Sequence, residues 1–136
     1  MPLNKTYMAT LSAIPIREPW IDMILAGKKT WEIRSKFTKK IGPVALIRCK
    51  SGTVVATANL AKVIELNSDI CSKNARKMGM SVDEALDCFG DYAWVLEDVV
   101  AFKRPVPYIH PSGAVTWVTL DEPTTKKVKA EAARSR

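Results

Sequence analysis

The chain has 136 residues, 47% of them hydrophobic and 26% charged, with a net charge of +7 at neutral pH. One domain of this size buries roughly two thirds of its unfolded surface, and no apolar run approaches the roughly 20 residues of a membrane helix, so a second domain and a membrane span are both excluded. Cys49, Cys71 and Cys88 are widely spaced and outside any C-x-x-C pair, and His110 is the only histidine, which argues against a zinc site, a disulfide framework and histidine-based metal hydrolysis.

Residues 1–8 are polar and without period, and read as a flexible arm. Met1 to Thr6 has no hydrophobic core of a secretory signal, so a cytoplasmic location is expected. Leu11 to Ile16 reads as a strand. From Pro19 to Ala26, Trp20, Ile21, Ile24 and Leu25 share one helical face, and Gly27 suits the left-handed residue that ends a helix. The period then changes to two. Trp31 and Ile33 point to one side of a strand while Thr30, Glu32 and Arg34 point to the other, so three polar groups share a face.

Ser35 to Pro43 carries Lys36, Lys39 and Lys40 around Phe37 and is the most basic loop before the tail. Val44 to Cys49 and Thr53 to Leu66 read as strands joined at Ser51-Gly52, with Val54, Ala56, Ala58 and Leu60 on one apolar face. Ser68 to Lys77 reads as a helix ending at Gly79. Ser81 and Glu84 form a capping-box pattern for a further helix from Val82 to about Cys88. Tyr92 to Leu96 and Val99 to Arg104 are extended, Pro105-Val106-Pro107 breaks the pattern, and Ala114 to Leu120 is the last strand. Within residues 124–136 five cations face the single Glu131, a net +4 of the +7. Residues 122–136 therefore read as a basic flexible tail.

Gly27-x-Lys29-x-x-Glu32-x-Arg34 resembles the GxKxxExR signature of the ASCH domain family, a branch of the PUA-like superfamily. Ile14 to Trp20 resembles the family's lead-in to that signature, and Tyr92 to Glu97 with Arg104 to Tyr108 resembles its late strand and proline-rich loop. The resemblance implies an α+β fold, a PUA-like small mixed β-barrel of about five or six strands with flanking helices, over residues 9–121. It also implies binding of RNA or a nucleotide, with DNA as an alternative, by a monomer or weak oligomer without cofactor, metal or membrane.

Lys29, Glu32 and Arg34 suit that role chemically. Arginine and lysine neutralise phosphate, Glu32 accepts from a base amino group, and Trp20 or Trp31 stacks. Lys36, Lys39 and Lys40 would extend the contact, and Tyr108, His110 and Ser112 would rim the pocket. Two other readings stand beside it. A hydrolase would use Lys29 and Glu32 as catalytic groups on a modified nucleoside or single-stranded RNA. Relatives that hydrolyse N4-acetylcytidine pair the lysine with a threonine, which falls at Glu32 here, and with a distant acid, which falls near Met78. Ribonuclease activity also occurs among relatives, but a pair of histidines is impossible here. The third reading is a protein-interaction module whose cleft takes a peptide.

Overall fold

The computed structural model describes residues 9–136; the arm expected at 1–8 lies outside them. The order is β1 (Ser12–Ile16), α1 (Trp20–Leu25), β2 (Trp31–Arg34), β3 (Gly42–Arg48), β4 (Thr53–Glu65), α2 (Ser68–Lys73), α3 (Ala75–Met78), α4 (Val82–Leu86), β5 (Tyr92–Pro107), β6 (Val118–Thr119) and α5 (Glu122–Ser135). The strands form one sheet, β2-β5-β4-β3-β1-β6, parallel only between β1 and β3. It curls into a half-barrel with β2 and β6 at its edges, so the mixed barrel expected from the sequence is present but open along one side.

Alternation along the strands sorts side chains between the concave face and two outer layers. Ile14, Ile16, Leu46, Ala58, Leu60 and Trp94 fill the inside together with Ile21 and Ile24 of α1. Ala45, Ile47, Val54 and Val106 point outward beneath Val128 of α5. Trp31, Ala93 and Val95 point outward beneath α2, α3 and α4. The single apolar face expected along β4 is therefore divided. The register shifts between Val54 and Ala56, and this bulge turns Val54 to the outside while Ala56, Ala58 and Leu60 stay inside. The helix expected over 68–77 is also broken, at Asn74, into α2 and α3. The capping box of α4 forms as its sequence indicates.

Three expectations about the second half of the chain are corrected. The last strand, expected from Ala114 to Leu120, is only the two-residue β6. Proline does not end β5, which runs through Pro105 to Pro107. β2 pairs only with Tyr92–Val95, so β5 is an edge farther on, where a missing N–H is tolerated. The supposed flexible tail is α5. Asp121 caps it by accepting from the Thr124 N–H at 2.8 Å, and Thr125, Val128 and Glu131, spaced by three, are buried.

Glu131 is why this basic helix stays on the sheet. Its carboxylate accepts from the Arg104 N–H of β5 (3.1 Å), from Ser135 Oγ (2.9 Å) and from Arg134 Nε (3.0 Å), and Ser135 Oγ in turn accepts from the Lys103 N–H at 2.9 Å. The hydrogen bond from Ser135, then those from Arg134 and Arg104, hold the carboxyl below its ordinary value of 4.5. A lowered carboxyl stabilises the fold above 4.5 and stops doing so as pH falls through the native value. Glu131→Gln is therefore expected to lower stability at neutral pH and to flatten its fall below pH 4.5, as followed by helix circular dichroism during acid titration.

Candidate functional site

The site begins where α1 stops. The Gly27 N–H donates to Ile24 O at 3.0 Å and the Lys28 N–H to Met23 O at 2.8 Å, a Schellman ending that needs the positive φ of 77° at Gly27. This turn sets the register of β2, so that Glu32 and Arg34 face the concave side while Trp31 faces out. Glu32, opposite Trp94 and nearly buried, accepts from Arg34 Nε at 3.0 Å. Another guanidinium nitrogen of Arg34, Nη2, donates to the Pro15 carbonyl, and the group lies 5.5 Å from the centre of the Trp94 ring. Arg34 thereby ties β2 to β1 across the open side of the half-barrel. Burial raises the Glu32 carboxyl, and the positive charges of Arg34 and Lys29 oppose that rise.

A cavity of about 760 Å³ opens beside this pair. Pro15, Arg17 and Trp20 wall it from β1 and the start of α1, and Glu32 and Arg34 from β2. Lys50 reaches it from the β3–β4 turn, where its φ is 67°. Tyr108 and His110 close the far side. His110 Nε2 is 2.8 Å from the Ala114 carbonyl, which only accepts, so that nitrogen carries a proton, and in the neutral ring Nδ1 accepts from the Tyr108 hydroxyl at 2.7 Å. Partial burial pushes the Tyr108 phenol above its ordinary value. Glu32 Oε1 has no hydrogen-bond partner among the described residues, and no buried polar side-chain atom among them goes without one, so this oxygen reaches the cavity.

Lys29 stands apart from the expected arrangement. It is 2% exposed and does not line the cavity; its Nζ donates to the Met78 carbonyl at 2.7 Å and sits 4.8 Å from the centre of the Trp20 ring. Met78 O is a carbonyl freed where α3 ends, so the lysine caps that helix while the Thr30 N–H takes Lys77 O at 2.9 Å. Desolvation lowers the Lys29 ammonium and Glu32 acts against it. Lys29 thus lies behind the cavity wall, beneath Trp20.

The other anticipated residues divide. Trp20, Glu32, Arg34, Tyr108 and His110 converge on the cavity, whereas Trp31, Lys36, Lys39, Lys40 and Ser112 do not line it. Trp31 is covered by the outer helices. Lys36 supplies its carbonyl to the Trp94 indole at 3.0 Å, and Lys40 lies 5.0 Å from the Trp117 ring, itself stacked on Trp94 at 5.4 Å. The basic loop therefore packs along the open side of the sheet. Arg17 and Lys50 were not anticipated. Arg17 lies inside the lead-in stretch, which signals its place, while Lys50 has no sequence signal beyond its turn. No group of three His, Cys, Asp or Glu side chains among the described residues could hold a metal ion, and no described helix is long and apolar enough to cross a membrane.

The ASCH domain model matches residues 14–106. The ASCH protein of Zymomonas mobilis shares 18% identity, with a TM-score of 0.68 over 88% of this chain and 93% of that one. Two substituted variants of that protein give TM-scores of 0.69 and 0.67, covering 90% and 88% of this chain and 98% and 94% of theirs. No curated protein matches in sequence. The match to the domain model covers more than half of the sequence, and the half-barrel with its signature turn agrees with it: the chain belongs to the ASCH domain family.

Proposed function

We propose that the cavity takes one nucleotide of a single-stranded RNA. One observation carries the reading: an aromatic face, a free carboxylate oxygen and three cations surround one cavity. Its volume falls within the roughly 300–1,000 Å³ usual for small-ligand sites. Trp20 would stack the base, Glu32 Oε1 would accept from an amino or imino hydrogen, and Arg17 and Lys50 would meet flanking phosphates. Arg34 would act mainly by holding Glu32. The lysine of the signature serves from behind, capping α3 beneath Trp20.

Fluorescence anisotropy with short unstructured RNA tests this across a salt series. Affinity should fall steeply with salt, and each of Arg17→Ala and Lys50→Ala should reduce the log–log slope by about 0.7, one phosphate contact on a single strand. Slopes unchanged by both substitutions but reduced by loss of Lys126 and Lys127 would place the binding on α5.

A hydrolytic reading has its own support in Tyr108 and His110. The imidazole accepts from the phenol at 2.7 Å on the cavity wall, an arrangement able to draw a proton from a ligand hydroxyl or water. Lys29 is less suited to that role, with its ammonium held by Met78. Acylated cytidine or RNA converted by the protein, but not by Tyr108→Phe, would make the site an enzyme.

A further inference from the structure

On the side of the molecule formed by α3 and α4, Val82, Leu86 and Phe89 are 49%, 37% and 63% exposed. Spaced by four and three, they form one stripe beside the buried Ala85 and Cys88, and Asp83 and Asp87 flank it on the side away from the core. Three exposed apolar side chains on one face are a candidate interaction surface. At Val82 the stripe runs into a shallow, open groove lined by Met23, Ala75, Gly79 and Met80 and rimmed by Lys28 and Arg76. Gly79, at a φ of 73°, lets Met23 lie against the backbone at the floor of the groove, since a β-carbon there would meet Met23 Cε at 2.8 Å. Among the described residues no carboxylate pairs with Lys28 or Arg76, whereas Arg34, Arg48, Arg134 and Arg136 all have such partners.

We infer that this surface pairs with a second copy of the chain about a twofold axis. One end offers the exposed Phe89 ring just past α4, with the exposed Asp87 on the flank of the stripe two residues before it; the other offers a methionine-lined groove with two cations that have no carboxylate partner among the described residues. Antiparallel juxtaposition of two α4 helices sets ring into groove and Asp87 against Arg76, twice, as an isologous interface requires. Methionine walls adapt readily to an inserted ring. A nucleic acid suits the surface less, since Asp83 and Asp87 would face its phosphates. The contact is small, so the pair is a weak dimer rather than an obligate one.

Sedimentation equilibrium of the full chain, from micromolar to millimolar concentration, tests this. The expected result is a monomer–dimer equilibrium that Phe89→Asp weakens by about 30-fold or more, as loss of a central anchor does. Arg76→Glu and Asp87→Arg should each weaken it, and the two together should restore it, because each reversed charge then meets its reversed partner across the axis. Unchanged circular dichroism establishes that the variants fold. A chain that stays monomeric at millimolar concentration overturns the inference, as does a dimer indifferent to Phe89→Asp or a double variant no better than the singles. RNA binding that Arg76→Glu and Phe89→Asp both remove from a monomer would also overturn it and assign the surface to nucleic acid.

Discussion

Arg34→Ala is expected to destabilise the chain by about 3 kcal/mol, the lower end of the cost of breaking a buried ion pair from one side. The substitution leaves Glu32, whose side chain is 8% exposed, without the guanidinium at 3.0 Å that compensates its charge. It also frees the Pro15 carbonyl and removes a side-chain bond from β2 to β1 across the open side of the half-barrel. In a domain of this length that corresponds to a fall in Tm of about 10 °C. Adding Glu32→Gln should recover part of the loss, because a neutral amide is cheaper to bury than a lone carboxylate. Thermal denaturation of the single and double variants supplies the cycle. A fall of less than about 1 kcal/mol for Arg34→Ala would mean that solvent already screens the pair, as it does for surface salt bridges.

Trp20→Ala should weaken RNA binding by about 1–3 kcal/mol, or roughly 5- to 150-fold, the usual contribution of one stacked base. Trp20→Phe should keep most of the affinity, since it retains a flat face. The indole has a second duty, because it covers the Lys29 ammonium at 4.8 Å. Alanine would open that charge to the cavity and relieve the desolvation that lowers it. The added positive charge would attract phosphate, so the measured loss should shrink as salt is lowered and approach the full stacking contribution at high salt. Anisotropy at two salt concentrations separates the two effects.

Much of this fold was legible because its local signals agree with one another. The Gly27 stop, the change of period at Trp31 and the capping box at Ser81 each appear where the sequence places them. The misreadings arise where distant partners decide. Residues 122–136 are rich in lysine and alanine, and what makes them a packed helix is an edge of β5 more than twenty residues away, whose N–H groups require Glu131 and Ser135. Val54 leaves the expected face of β4 because of a bulge, which alternation alone does not reveal.

The site follows the same division. That Glu32 and Arg34 share a face follows from a period of two. That Lys29 turns away follows from the carbonyl at the end of α3, supplied 49 residues later in the chain. Trp20 and Trp31 were both candidates for stacking; the period of two already turns Trp31 from the Glu32 face, and the packing of α2 to α4 over β2 covers it. Lys50 enters through the backbone of a tight turn, a position without periodicity to expose it.

The four indole N–H groups offer the most direct test, because they occupy different layers of the molecule. Trp20 walls the cavity, Trp31 lies under the outer helices, and Trp94 and Trp117 stack along the open side. In a nitrogen–proton correlation spectrum titrated with a short single-stranded RNA, the Trp20 indole should shift in a saturable manner, together with the backbone signals of Lys50 and Tyr108, while Trp31 stays in place. A Trp20 signal unmoved at saturation, with shifts confined to Lys126, Lys127 and Lys129 on α5, would contradict a nucleotide site in this cavity.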